Sequence, residues 1–204
     1  MHPDTRAIAN DMRQFALAVL SRAAYDLTFS TNMHPYASAM GIAEAGQGAE
    51  LAIKARIAEE HPLLLFATLP KSKSASGMLT VDELLQHGRT VQFSELPELL
   101  WATTGFRMER VEQFLQFGRL RNVCVHFALP PSGDWHSETL RFLFEVVDPL
   151  VQHFWNESIA NHSLHWDEVM LDGFLEDQLK QAGLEISPSL RASLDNRTPP
   201  TRSR

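Results

Sequence analysis

Apolar residues recur at helical spacing along most of this chain, and no strand-like alternation persists for long. A segment with apolar side chains every three to four residues can bury them only as one stripe of a helix, and such stripes must pack on one another. The first stripe runs from about Asp4 to Phe29, with Ile8, Met12, Phe15, Leu17, Val19 and Leu20 on it. A second is predicted over Gln47 to Glu60, carrying Leu51, Ile53, Ile57 and Ala58. Its approach, Met40 to Gly48, holds three glycines and reads as a separate turn or a loosely wound start. His61-Pro62 should stop the helix, because a residue before proline is pushed out of the helical region.

The polar run from Pro70 to Gly77 reads as a loop, with Lys71 and Lys73 available to phosphates. Thr80-Val81-Asp82-Glu83 fits a capping box opening a short helix through Gln86. Ser94 can cap another, with Pro97 in its tolerated first turn and Leu99, Leu100 and Trp101 as its apolar mass. A long helix is predicted from Glu109 to Ala128, ended by Pro130-Pro131-Ser132-Gly133. The next begins near Ser137, and Pro149 either kinks it or restarts it with Asp148 as cap. A last amphipathic helix spans about Asp167 to Gln181 and ends at Gly183. The sum is an all-α helical bundle over residues 1–186, with short helices inserted between the second and third long ones and an extra C-terminal helix. Residues 187–204, with four arginines against one aspartate among Ser, Thr and Pro, read as a flexible basic tail.

Composition narrows the function. A net charge of −7 argues against broad nucleic-acid binding through a basic surface. No run of 18 apolar residues occurs, so no membrane span is expected, and residues 1–6 lead into no signal-like apolar core. The single cysteine, Cys124, lies among apolar helix positions and fits a reducing, cytoplasmic setting as a small buried hydrophobe.

Chemistry concentrates on the helix from Glu109 to Ala128. At about 100° per residue, Phe117, Leu120, Val123, Cys124 and Phe127 share one arc, expected to face the core. Arg121, Asn122 and His126 fall outside it, within about 140° of one another. Phe114, Leu115, Gly118 and Val125 are interleaved with them where a solvated face would carry Glu, Lys or Gln, which suggests a partly apolar surface covered by a partner. A twofold dimer through this face brings two polar trios together. An imidazole can take up or give away a proton, so His126 can act as base or acid, while Arg121 suits a phosphate gathering charge in a transition state. The bland alternative is a surface arginine with a capping or interface histidine.

The run Arg121-Asn122-Val123-Cys124-Val125-His126 reads R-N-x-x-x-H and resembles the motif of the HEPN superfamily (higher eukaryotes and prokaryotes nucleotide-binding). Glu50-Leu51-Ala52-Ile53-Lys54 is similar to the E-x-x-x-K feature of some HEPN ribonucleases, although it also fits an ordinary i,i+4 ion pair. The resemblance covers about two thirds of the chain and implies a helical bundle with the motif on a late helix. It further implies metal-independent RNA cleavage to a 2′,3′-cyclic phosphate and a 5′-hydroxyl, in a homodimer joined across the face of Arg121 and His126. Arg121, Asn122 and His126 would be catalytic, Glu50 and Lys54 supporting, with no cofactor or metal. RNA would be the substrate, and a toxin or phage-defence role with a cognate antitoxin is what such families suggest. The alternative is a non-catalytic HEPN-like module that binds protein or nucleotide on the same face.

Other constellations are weaker. His153, Glu157, His162, His165 and Asp167 cluster in sequence but lack the spacing of a structural zinc site. Gly46-Gln47-Gly48 lacks the full glycine pattern and preceding strand of a phosphate loop. Trp101, Trp135, Trp155 and Trp166 read as packing anchors.

Overall fold

The computed structural model describes residues 3–29, 36–71, 79, 81–129, 132–162 and 173–195. Two long helices, α1 (Pro3–Phe29) and α2 (Ala37–Glu60), form the spine. Two glycines of α2 fix how they meet: a Cβ on Gly41 would lie 2.9 Å from Leu27, and one on Gly48 would lie 2.7 Å from Leu20. As one chain number rises the other falls, so the pair is antiparallel and close-packed. Leu17, Leu20, Ala24 and Leu27 of α1 and Ile42, Ala45, Ala49 and Ile53 of α2 are all buried in one core cluster. Each fully buried leucine or isoleucine contributes about 2 kcal/mol of apolar transfer energy.

A 3₁₀ turn (Pro62–Leu65) follows α2, its entry capped by His61 Nδ1, which accepts from the Leu63 N–H. The chain then forms a small antiparallel hairpin, β1 (Phe66–Thr68) with β2 (Arg89–Thr90), which encloses α3 (Val81–His87). Next come a 3₁₀ turn (Phe93–Glu95), α4 (Leu96–Thr104) and α5 (Val111–His126). A near-continuous helical arm follows: α6 (Trp135–Arg141), a π-helical segment (Phe142–Val147) and α7 (Asp148–Trp155). After a 3₁₀ turn (Ile159–Asn161) the described chain closes with α8 (Phe174–Gln181) and α9 (Pro188–Asp195). The fold is all-α, a helical bundle with short inserted helices. Among the described residues no helix is long and apolar enough to cross a membrane.

Several boundaries depart from the sequence reading. The glycine-rich stretch before Gln47 is neither a turn nor a loose start; α2 runs unbroken from Ala37, because its glycines admit neighbouring side chains. The turn before α4 is capped by Gln92 and Glu95 in a reciprocal box rather than by Ser94. The α6 cap is Asp134, which accepts from the Ser137 N–H, so the helix starts two residues earlier than expected. At Pro149 the helix neither stops nor takes Asp148 as a cap. The wider winding just before it accommodates a residue with no N–H to donate. Residues 188–195, expected within the flexible tail, form α9, and its buried Leu190 gives the helix a reason to dock. Residues 196–204, Thr80, most of the Pro70–Gly77 loop and the first half of the helix expected from Asp167 lie outside the described residues.

The largest correction concerns α5. Its buried residues are Phe114, Phe117 and Gly118, while Val123 and Phe127, expected in the core, are exposed. Rings decide this. Phe93 stacks on Phe114 at 4.2 Å, and Phe117 stacks on Phe142 at 3.7 Å. The edge of Phe93 also occupies the space where a Cβ on Gly118 would be, 2.5 Å away. Gly118→Ala is therefore expected to push Phe93 off this column and to destabilise the fold by about 1–3 kcal/mol, despite alanine's better helix propensity. Urea unfolding would show it as a lower midpoint at unchanged slope.

Candidate functional site

The site is built where α5 lies along α2. Gly46 leaves a gap in α2, and the Arg121 stem fills it: a Cβ on Gly46 would come within 2.8 Å of Arg121 Cγ. From there the guanidinium donates from Nη2 to Glu50 Oε2 at 3.4 Å and from Nη1 to Asn122 Oδ1 at 3.2 Å. The other Glu50 oxygen, Oε1, accepts from Lys54 Nζ at 2.6 Å. Lys54 is only 7% exposed, and its ammonium also lies 3.5 Å from Thr90 Oγ1 on β2.

A buried ammonium is costly unless paired, and Glu50 supplies the pairing. The carboxylate lies between two cations, so the cluster carries one positive charge in excess. That excess is displayed at Arg121, which is partly exposed, rather than at the enclosed Lys54. A guanidinium held by an acceptor at each end keeps its planar donor fork in one orientation, as recognition of a phosphate requires.

Of the five residues singled out in the sequence, four are in one hydrogen-bonded chain: Lys54, Glu50, Arg121 and Asn122. The fifth, His126, stands one helical turn beyond Asn122 at the exposed C-terminal end of α5, and its imidazole makes no hydrogen bond or ion pair with the four side chains. The partly apolar surface around it differs from the expected one. Phe114 and Gly118 are covered by Phe93 of the same chain, whereas Val123, Val125 (52% exposed) and Phe127 (87% exposed) flank His126 in the open.

Thr90 and Gly46 were not singled out as site residues. Thr90 reaches Lys54 across 36 residues of sequence, and nothing local to it announces the contact. Gly46 did carry a signal, since glycine inside a helix is unfavourable by about 1 kcal/mol and asks for a packing reason.

The remaining candidates resolve into packing. Burial raises the Cys124 thiol above its ordinary pKa, which opposes a thiolate nucleophile. His153 lies against the Phe106 ring at 4.4 Å, and His162 pairs with Glu157 at 2.9 Å. His165, Asp167 and Trp166 lie outside the described residues, among which no group of three or more metal-ligating side chains converges. Trp155 donates from Nε1 to Glu59, and Arg107 covers the Trp101 ring at 4.1 Å.

In comparison with known proteins, the chain matches no family model, no curated protein and no solved structure.

Proposed function

We propose that this chain is a metal-independent endoribonuclease of HEPN type that acts as a homodimer through the end of α5. The observation that carries the reading is the convergence of Lys54, Glu50, Arg121 and Asn122 from two helices, with His126 one turn along the same face. In the proposed reaction an imidazole takes the proton of the ribose 2′-hydroxyl as its oxygen bonds to phosphorus. The bond from phosphorus to the 5′-oxygen breaks, and that oxygen receives a proton from the imidazole of a second copy. Arg121 holds the non-bridging oxygens, where charge accumulates, and Lys54 offsets the charge of Glu50 so that the cluster stays net positive. The exposed Val123, Val125 and Phe127 supply the apolar area that the second copy would cover. A toxin or phage-defence role, with or without an antitoxin, belongs to this proposal through the resemblance alone.

A second reading, a non-catalytic module that binds protein or nucleotide, is favoured by one observation: His126 stands apart from the Arg121 cluster. The two separate in a single assay of the purified chain on RNA with a chelator present. The nuclease gives undiminished cleavage and fragments ending in 2′,3′-cyclic phosphate. No cleavage, cleavage that needs magnesium, or fragments ending in a 3′-hydroxyl would reject the proposed mechanism.

A further inference from the structure

Three glycines interrupt α2, and each gap is filled from a different position on a neighbouring helix. Gly41 and Gly48 admit Leu27 and Leu20, both fully buried leucines of the core. Gly46 is unlike them. The side chain it admits is charged, belongs to α5 and leads to the candidate site.

We infer that Gly46 is a positioning residue for Arg121: its missing side chain lets the arginine stem lie flat against α2, which aims the guanidinium at Glu50 and Asn122. Any Cβ at this position meets Arg121 Cγ at 2.8 Å and Cβ at 3.2 Å, atoms at the root of the side chain. Root atoms cannot be displaced by a small swing of the tip. The stem must rotate to another staggered conformer, and a rotation there carries the guanidinium away from both acceptors. Arg121 is partly exposed, so the displaced side chain has solvent to enter, and its Cβ, which no rotation moves, asks α5 to give only by a few tenths of an ångström.

The inference rests on the nuclease reading for its catalytic consequence but not for its geometry, and the experiment separates the two. Gly46→Ala in the full chain is expected to lower kcat for RNA cleavage at least tenfold while the thermal midpoint hardly moves, since alanine's better helix propensity offsets the small shift asked of α5. A general structural role would move activity and midpoint down together. Independently of activity, the guanidinium signals of Arg121 in a ¹⁵N–¹H spectrum, assigned through Arg121→Lys, should be dispersed and protected in the parent and collapse to free-arginine positions in Gly46→Ala. Signals unchanged by Gly46→Ala would overturn the inference. A parent that cuts no RNA yet loses those signals in the variant would reject the nuclease and keep the positioning role. If Gly46→Ala fails to fold, combining it with Arg121→Ala decides: the double variant regains a cooperative unfolding transition when the Arg121 stem beyond Cβ is the crowding group. A double variant that still fails to fold also overturns the inference.

Discussion

His126→Ala is expected to reduce RNA cleavage by about 10²–10⁴-fold, the usual contribution of a positioned general acid or base. The thermal midpoint should hardly move. The imidazole is exposed at the end of α5 and makes no hydrogen bond to the described residues, so its loss leaves no buried group unpaired. Surface substitutions of that kind stay within about 0.5 kcal/mol. A large kinetic effect with no effect on stability distinguishes chemistry from scaffolding, and the exposure of His126 makes the distinction sharp. The proposed division of acid and base between two copies adds a second signature. Mixing the parent with an excess of His126→Ala should suppress cleavage beyond simple dilution, because mixed dimers hold only one competent imidazole. Cleavage that survives the substitution, or activity that falls only in proportion to dilution, removes the paired-histidine mechanism.

What could be read from the sequence, and what could not, follows from how local each signal was. Helix existence was legible because the stripes are long and their ends carry proline or glycine, as at His61-Pro62 and Gly183. The Glu50–Lys54 pair was legible because i,i+4 neighbours meet on any helix. The phase of α5 was not. Apolar residues surround that helix, from Phe114 and Leu115 through Phe117 and Leu120 to Val123, Val125 and Phe127, so the wheel allows more than one buried arc. Phe93 chose between them by stacking on Phe114 and closing over Gly118, and it lies in a 3₁₀ turn whose position no periodicity records. The pairing of β2 with β1 likewise decides where Thr90 falls, which is why its contact with Lys54 was invisible. Helical periodicity put Arg121 on a helix, yet its partner in space, Gly46, could be named only once α2 was seen to pass beneath it.

The second large effect concerns a carboxylate far from this site in sequence. Asp148 is 1% exposed, and its Oδ1 accepts from Ser158 Oγ at 2.9 Å and from the Ile159 N–H at 2.7 Å. Its Oδ2 accepts from Gln152 Nε2. These bonds tie the start of α7 to the turn at 159–161, which packs on α1 and α9. Asp148→Ala should therefore destabilise the fold by about 2–4 kcal/mol, because it strands a buried N–H and a buried hydroxyl. Burial pushes the carboxyl up to about 6, against the pull of its three donors, which favour the charged form. A folded value above the ordinary 3.8 means that between these limits the folded chain holds more proton than the unfolded one. The Asp148 contribution to stability therefore falls as pH rises through the window from about 4 to 6, by about 3 kcal/mol in all, and stays low above it. Asparagine keeps an acceptor for Ser158 and Ile159 and has no charge to bury. The stability of Asp148→Asn relative to the parent should accordingly be greatest at pH 7 and shrink toward pH 4, with Gln152 turning its amide to accept from the new nitrogen. Denaturant unfolding of both proteins at pH 4, 5, 6 and 7 measures that difference directly. A difference independent of pH would mean that Asp148 titrates as an ordinary exposed acid, and the corner it anchors would then owe its position to Leu150, Val151 and Ile159 instead.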